Sequence, residues 1–248
     1  MLSEKIGLVI PCFNEAKRIN LNDFSTFLKS HPTCSILFVN DGSTDQTKTL
    51  LETYCRSQTQ ANFLDLEKNS GKAEAVRQGA LHLSKTSSDL DWIGYWDADL
   101  ATPLEEVDRF FWYVSSKINQ TDFLIGTRVK LMGTDIRRHA RRHYLGRFFA
   151  TAASIVLRIP IYDTQCGAKV LRARLVPRAF EKPFLSHWIF DVELIMRVLK
   201  MSPQNIERGA NLREIPLHAW QDLDGSKLKL RDWFLAPWEL FQIWKTYR

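Results

Sequence analysis

The sequence predicts an α/β protein, a mostly parallel sheet with helices on both faces. Two observations carry this. Short apolar runs alternate with helix-period segments through the first half of the chain, and polar residues and glycine gather where the runs end. Ligands of such sheets bind beyond the carboxyl ends of the strands, so those clusters are where a site is expected.

Strands are expected at Ile6–Ile10, Ile36–Val39, Phe63–Leu66, Trp92–Trp96 and Phe123–Gly126, each near the usual strand length. "STDQTKTLLETYC" opens with hydroxyl and carboxylate capping candidates, Ser43 to Asp45. "GKAEAVRQGALHLSK" sets Ala73, Val76, Ala80 and Leu83 on one helix face. "TPLEEVDRFFWYVSS" offers Thr102 as N-cap, Pro103 at the first helical position, and Glu105 and Glu106 in the first turn. After about residue 130 the pattern becomes a basic helix, a loop, further helices and the strand-like "LREIPLHAW".

The composition, 45% hydrophobic and 25% charged, suits a folded chain with a sizeable core. Its net charge of +6 is focused. Arg128, Lys130, Arg137, Arg138, Arg141, Arg142 and Arg147 face one acidic residue, Asp135, so this segment alone equals the excess. Such a cluster implies an anionic surface or a phosphate ligand. The apolar run directly after it, Phe148 to Leu157, does not suit a nucleic-acid face. Cys12, Cys34, Cys55 and Cys166 form no CxxC pair, so zinc is not expected and reduced thiols are. "IGLVI" reads as a strand rather than a signal peptide, and no window reaches the roughly 18–20 apolar residues of a membrane span. The expectation is a cytoplasmic protein without a transmembrane anchor.

The strand-end clusters are "PCFNEAKR", "NDGSTD", "KNSGKAEA", "DADLATP" and "GTR". No GxGxxG follows a strand and no GxxxxGK[ST] occurs, which weakens dinucleotide and phosphate-loop readings. "NDGSTD" reads either as a turn and helix cap or as a base-contacting loop, with Asp41 accepting from a base N–H and Gly42 admitting the ligand. Asp97 and Asp99 lie two apart, which in an extended strand puts both on one side. Two like charges there repel unless a cation sits between them. A divalent cation, a substrate hydroxyl and a helix N-terminus are the candidates.

"VIPCFNEAKRI", "VNDGSTDQT", "NSGKAEAVRQG" and "WDADLATP" together resemble the family 2 inverting glycosyltransferases, in order and in spacing. "DTQCGAKVL", "WIFDVELIMR" and "DGSKLKLRDW" resemble the dolichyl-phosphate β-glucosyltransferase subgroup, with the dolichol-phosphate mannosyltransferases as near relatives. The resemblance covers about residues 5 to 235. It implies a Rossmann-like glycosyltransferase-A fold in one domain over 1–248, with residues 1–127 holding the donor and 128–248 meeting acceptor and membrane. It also implies transfer of a hexose from a nucleoside-diphosphate sugar to a polyprenyl phosphate, with UDP-glucose favoured over GDP-mannose.

The resemblance assigns roles. Pro11, Asn14, Glu15, Asp41, Gly71, Lys72, Ala98 and Lys227 fall on the donor. Asp97 and Asp99 hold Mg²⁺ or Mn²⁺ against the diphosphate, and Arg128, Arg138, Arg142 and Gln165 meet the acceptor. Asp97, Asp99, Arg128 and Arg138 form the catalytic set. An acceptor phosphate is already anionic and needs no strong base. A sugar-hydroxyl acceptor would need one, and Asp191 or Glu193 could serve. The chain departs from the pattern at Asn40, where Asp is common, and at Ala101, where some relatives place a Gln. A counterpart to the N-terminal membrane anchor of the eukaryotic glucosyltransferases is not expected either. Two interfacial helices are expected in the second half: the apolar stretch behind the basic cluster, and "APWELFQIWKTYR" with Trp238, Phe241 and Trp244 at helical spacing. They would place the protein peripherally at the cytoplasmic face of an anionic membrane. A non-catalytic nucleotide-sugar-binding module is the alternative of another class. Intact Asp97, Asp99, Arg128 and Lys227 argue against it.

Overall fold

The structure, a computed structural model, describes residues 4–117, 121–137, 140–202, 207–222 and 230–248, with side chains except at 113–117, 140–145 and 230–234. In chain order come β1 (Ile6–Cys12), α1 (Leu21–Ser30), β2 (Cys34–Asp41), α2 (Thr47–Arg56), β3 (Ala61–Leu66), α3 (Lys72–Thr86) and β4 (Trp92–Trp96). Then follow α4 (Glu106–Lys117), β5 (Phe123–Thr127), β6 (Asp135–Arg137), α5 (Ala140–Leu157), β7 (Ala168–Arg172) and α6 (Val176–Ala179). Last are α7 (Phe190–Met201), β8 (Leu212–Pro216), β9 (Ala219–Gln221) and α8 (Leu230–Tyr247). The strands form a mostly parallel mixed sheet flanked by helices.

Two compact units make up the chain: Met1–Leu100 with Gly167–Pro183, and Ala101–Cys166 with Phe184–Arg248. The division falls at 100/101 rather than 127/128, and a later segment returns to the first unit.

The first unit orders its strands β3-β2-β1-β4-β7. β1 lies parallel between β2 and β4, and β3 is parallel to β2. β7 runs antiparallel to β4, pairing Trp96 with Ala168. Leu8, Val9 and Ile10 are all fully buried, so β1 is covered on both faces, as central parallel strands are. That is why it reads as a continuous apolar run. α3 packs on β1, β2 and β4 through Ala73, Val76, Ala80 and Leu83, the face expected from spacing.

The expected strands appear, lengthened by one to two residues at several ends. α1 is an addition, built on Phe24, Phe27 and Leu28 and capped by Asn20, whose side chain accepts from Asn22 N at 3.2 Å. Two helix starts shift. α2 begins at Thr47, where Asp45 Oδ1 accepts the Thr47 N–H at 2.9 Å. α4 begins at Glu106, so Thr102 is not its N-cap. A tight turn intervenes, in which Glu106 N donates to Pro103 O at 3.2 Å.

In the second unit β5 pairs β8 in parallel, and β6 pairs β9. α7 is buried from Phe190 to Leu199 and packs against α5 and α8. Glu106, freed from capping, accepts N–H groups of His218 and Ala219 at 3.0 and 2.8 Å, tying α4 to the β8–β9 turn. Among the described residues no helix is long and apolar enough to cross a membrane.

Candidate active site

In the first unit the strand-end loops clasp one another. Asn14, after β1, adopts φ 53°. Its N–H donates to Ser43 Oγ at 3.0 Å, and its side-chain oxygen accepts the Thr44 N–H at 2.9 Å. The Glu15 N–H donates to Thr47 Oγ1 at 2.8 Å, so the loops after β1 and β2 form one surface. Pro11 stands half-buried in β1, near its end. The Glu15 carboxylate is buried and paired with Arg18 at 3.0 Å.

Asp41 closes β2. Its two oxygens accept the N–H groups of Ser70 and Gly71, each at 2.8 Å. The carboxylate expected to await a base N–H is thus already engaged in holding the loop before α3. Gly42 has a related use. A Cβ there would come within 2.3 Å of Asn69 N, so its bareness admits the neighbouring main chain. Gly71, at φ 89°, turns the chain into α3 and sets Lys72 as its first residue.

Lys72 Nζ meets Asp97 Oδ1 at 2.5 Å. The aspartates differ from the expected extended pair. β4 ends at Trp96, and Asp97 to Leu100 form a turn, with Leu100 N donating to Asp97 O at 3.1 Å. Asp97 N continues the antiparallel ladder to Gly167 O at 3.1 Å. A Cβ on Gly167 would lie 1.9 Å from Asp97 Oδ2, so bare backbone is required beside that carboxylate. Asp99 Oδ2 faces Arg18 Nη2 at 4.0 Å. Ala98, between them, is buried.

This donor set fits a hard divalent cation. Both carboxylates remain about one-third exposed, and each faces a cationic side chain, so the turn attracts positive charge and stays open to solvent. Among the described residues no group of three His, Cys, Asp or Glu could ligate a metal. Two carboxylates would leave most positions of such an ion open, and Ala101 offers no third ligand.

In the second unit Arg128 follows β5 directly. Its Nε and Nη2 donate to Asp163 Oδ2 and Oδ1 at 2.6 and 2.8 Å, and its own N–H reaches Oδ2 at 3.2 Å. The guanidinium lies over the Trp220 ring at 5.2 Å. Asp163 opens "DTQCG", so the structure joins two motifs that the sequence left apart. Gln165 N donates to Asp163 Oδ1 at 3.1 Å, and its buried Nε2 has no partner among the described residues. An unsatisfied buried donor costs about 1–3 kcal/mol. Arg147 lies over the Tyr162 ring at 3.8 Å and donates to Tyr162 O, so this member of the basic cluster serves the protein itself. Arg138 and Lys227 lie outside the described residues, as does the side chain of Arg142.

The two base candidates separate. Glu193 is fully buried, and its oxygens accept from Arg197, Tyr247 Oη and the Leu185 N–H at 2.7 to 2.8 Å. So enclosed and occupied, it is a structural anchor rather than a base. Asp191 is buried in the first turn of α7. Sequence reasoning missed Arg18, Gly167 and Asp163 as site residues. All three stood inside quoted motifs, Arg18 in "VIPCFNEAKRI" and Asp163 and Gly167 in "DTQCGAKVL", but linear order did not show what they touch.

The fold is that of glycosyltransferase-A enzymes. Glucosyl-3-phosphoglycerate synthase from Mycobacterium tuberculosis superposes with a TM-score of 0.65 at 16% identity, over 98% of this chain and 81% of that one. Mannosyl-3-phosphoglycerate synthase from Rubrobacter xylanophilus gives 0.68 at 16% identity, over 97% and 73%. Residues 8–178 match the model of glycosyl transferase family 2, and the chain belongs to that family of transferases. A dolichyl-phosphate beta-glucosyltransferase of Trichomonas vaginalis is 31% identical over 246 residues, 95% of this chain and 69% of that protein. The dolichyl-phosphate beta-glucosyltransferase of Saccharomyces cerevisiae is 32% identical over 244 residues, 91% and 69%.

Proposed function

We propose that the protein transfers glucose from UDP-glucose to a polyprenyl phosphate of the dolichyl type, with inversion at the anomeric carbon and with Mg²⁺ or Mn²⁺. The observation that carries the reading is the turn after β4, where Asp97 and Asp99 draw Lys72 and Arg18 to within 2.5 and 4.0 Å. Such a turn suits a diphosphate and its counter-ion. The relatives' names supply the sugar and the acceptor class. The fold neighbour has been solved with Mn²⁺ and UDP-glucose, which supports the donor.

Asp97 and Asp99 are the residues that would hold the cation. When bound it offsets charge building on the leaving diphosphate. Lys72 shifts its contact from Asp97 towards the phosphates, and Lys227 joins it. Asn14, Glu15 and Pro11 shape the base pocket, while Asp41 acts through the Ser70–Gly71 loop. Arg128, with Arg138 and Arg142, orients the acceptor phosphate through charge-assisted bonds. Gln165 supplies a further donor. The acceptor oxygen is already anionic, so no base is assigned.

The acceptor is a lipid, and the surface suits one. Every exposed large hydrophobic residue among the described ones lies in the second unit, including Met132, Phe148, Ile155, Trp238 and Phe241. This supports peripheral binding to an anionic membrane. The four free thiols support its cytoplasmic face.

Thermal shift with nucleotide sugars tests the donor side. UDP-glucose with Mn²⁺ should stabilise the protein by roughly 2.7 kcal/mol at about a hundredfold excess over Kd. GDP-mannose should do less, and Asp99→Ala should lose the metal-dependent part. No shift with any UDP-sugar would overturn the reading. A second reading, transfer to a sugar-acid hydroxyl, is favoured by the phosphoglycerate-acting neighbours. It would call on Asp191 as base.

A further inference from the structure

Glu214 sits on β8, in register with Ile125 of β5, and is held between strand and loop. Its Oε2 accepts the Tyr162 N–H and its Oε1 the Asp163 N–H, both at 2.8 Å. Burial pushes its carboxyl above the ordinary value, against the pull of those two donors. A carboxylate kept there at such cost fixes two consecutive amides of one turn. From that turn Asp163 reaches Arg128 with both oxygens, at 2.6 and 2.8 Å. Arg147 closes the other side of the turn, donating to Tyr162 O at 3.1 Å.

We propose that Glu214 is a positioning residue for the acceptor: it fixes the Tyr162–Asp163 turn, and through Asp163 it sets the plane of the Arg128 guanidinium. The inference rests on the reading that Arg128 meets the acceptor phosphate. A free arginine side chain has rotamer freedom that phosphate binding would have to remove. Asp163 fixes the Nε–Nη2 edge, and Glu214 fixes Asp163. The phosphate therefore meets a guanidinium of set orientation. Glu214 is occupied by the Tyr162 and Asp163 amides and is assigned no substrate contact.

The test is steady-state kinetics of Glu214→Gln, an isosteric change. It leaves one accepting oxygen and turns an NH₂ towards the second amide. The Michaelis constant for polyprenyl phosphate should rise about five- to tenfold, the scale of one lost hydrogen bond. The constant for UDP-glucose should stay within about twofold, since the donor residues lie on other elements. Arg128→Lys should raise the acceptor constant further, and adding Glu214→Gln to it should change little more. An unchanged acceptor constant, an equal rise for the donor, or effects that multiply in the double variant would each overturn the proposal. If Glu214→Gln does not fold, Asp163→Asn carries the same split. Wild-type turnover on polyprenyl phosphate is the separate control: its absence defeats the functional reading, whereas its presence without the split defeats only the relay.

Discussion

At Gly42 the backbone stands at φ 62°, and the main chain of Lys68 and Asn69 lies where a Cβ would go. Gly42→Ala should therefore cost about 2 kcal/mol or more, from strain and from displacing the loop that Asp41 holds. An unchanged urea midpoint would contradict this. The neighbouring Asn40 explains one departure from the family pattern. Its amide donates to Asp65 at 2.7 Å, and its oxygen accepts the Ser43 N–H at 3.3 Å. An aspartate there would face Asp65 with like charge. Burial works against the Asp65 carboxylate, yet bonds from Lys48 and Asn40 hold its carboxyl below the ordinary value. Asp41, Asp97 and Asp99 stood out in the sequence as carboxylates at strand ends, and Gly71 and Lys72 were nominated beside them. Which of these touch was not legible, because Ser70, Gly71, Lys72 and Gly167 reach the carboxylates only through loop closure and an antiparallel return.

Elements differ in how openly they announce themselves. β1, β2 and β4 are legible because buried strands read as nearly continuous apolar runs, whereas β3, at the sheet edge with only Ala61 buried, is legible as a short run bounded by turns. α7 is buried from Phe190 to Leu199 although its sequence carries Asp191, Glu193 and Arg197, a burial that linear order does not announce and that the Glu193–Arg197 pair at 2.7 Å helps to make tolerable. β6 and β9 span three residues each, too short for any period. α8 is two-faced in a different sense. Ala236, Leu240 and Ile243 are buried, while Leu235, Trp238 and Phe241 are exposed. The rings of Trp238 and Phe241 stack at 5.7 Å. Tyr247 Oη donates to Glu193 at 2.8 Å and Ser186 Oγ donates to Glu239 at 2.7 Å, so the helix is anchored independently of its outer face. Replacing Trp238 and Phe241 together by serine should cut sedimentation with anionic vesicles by at least about tenfold and leave the melting temperature nearly unchanged. Equal sedimentation of both proteins would remove α8 from the membrane surface.

On the scale of the whole molecule, chemistry and surface are partitioned. The residues proposed for the donor, Asn14 through Asp99, belong to the first unit, and Arg128, Asp163 and Glu214 belong to the second. Among the described residues the exposed large hydrophobic ones also belong to the second. That partition was legible in outline, since the basic cluster and the aromatic C-terminal segment both stand late in the chain. Its boundary was not, because Gly167 to Pro183 returns to the first unit through β7, and a returning strand leaves no mark in linear order. The proposed acceptor is a lipid phosphate. The decisive measurement is the initial rate of glucose transfer from UDP-glucose, with Mn²⁺, to polyprenyl phosphate carried in anionic vesicles. A glucosyl-lipid phosphate should form with the wild-type chain and be lost with Asp99→Ala. Transfer to 3-phosphoglycerate or to a sugar hydroxyl, with none to the lipid phosphate, would contradict it.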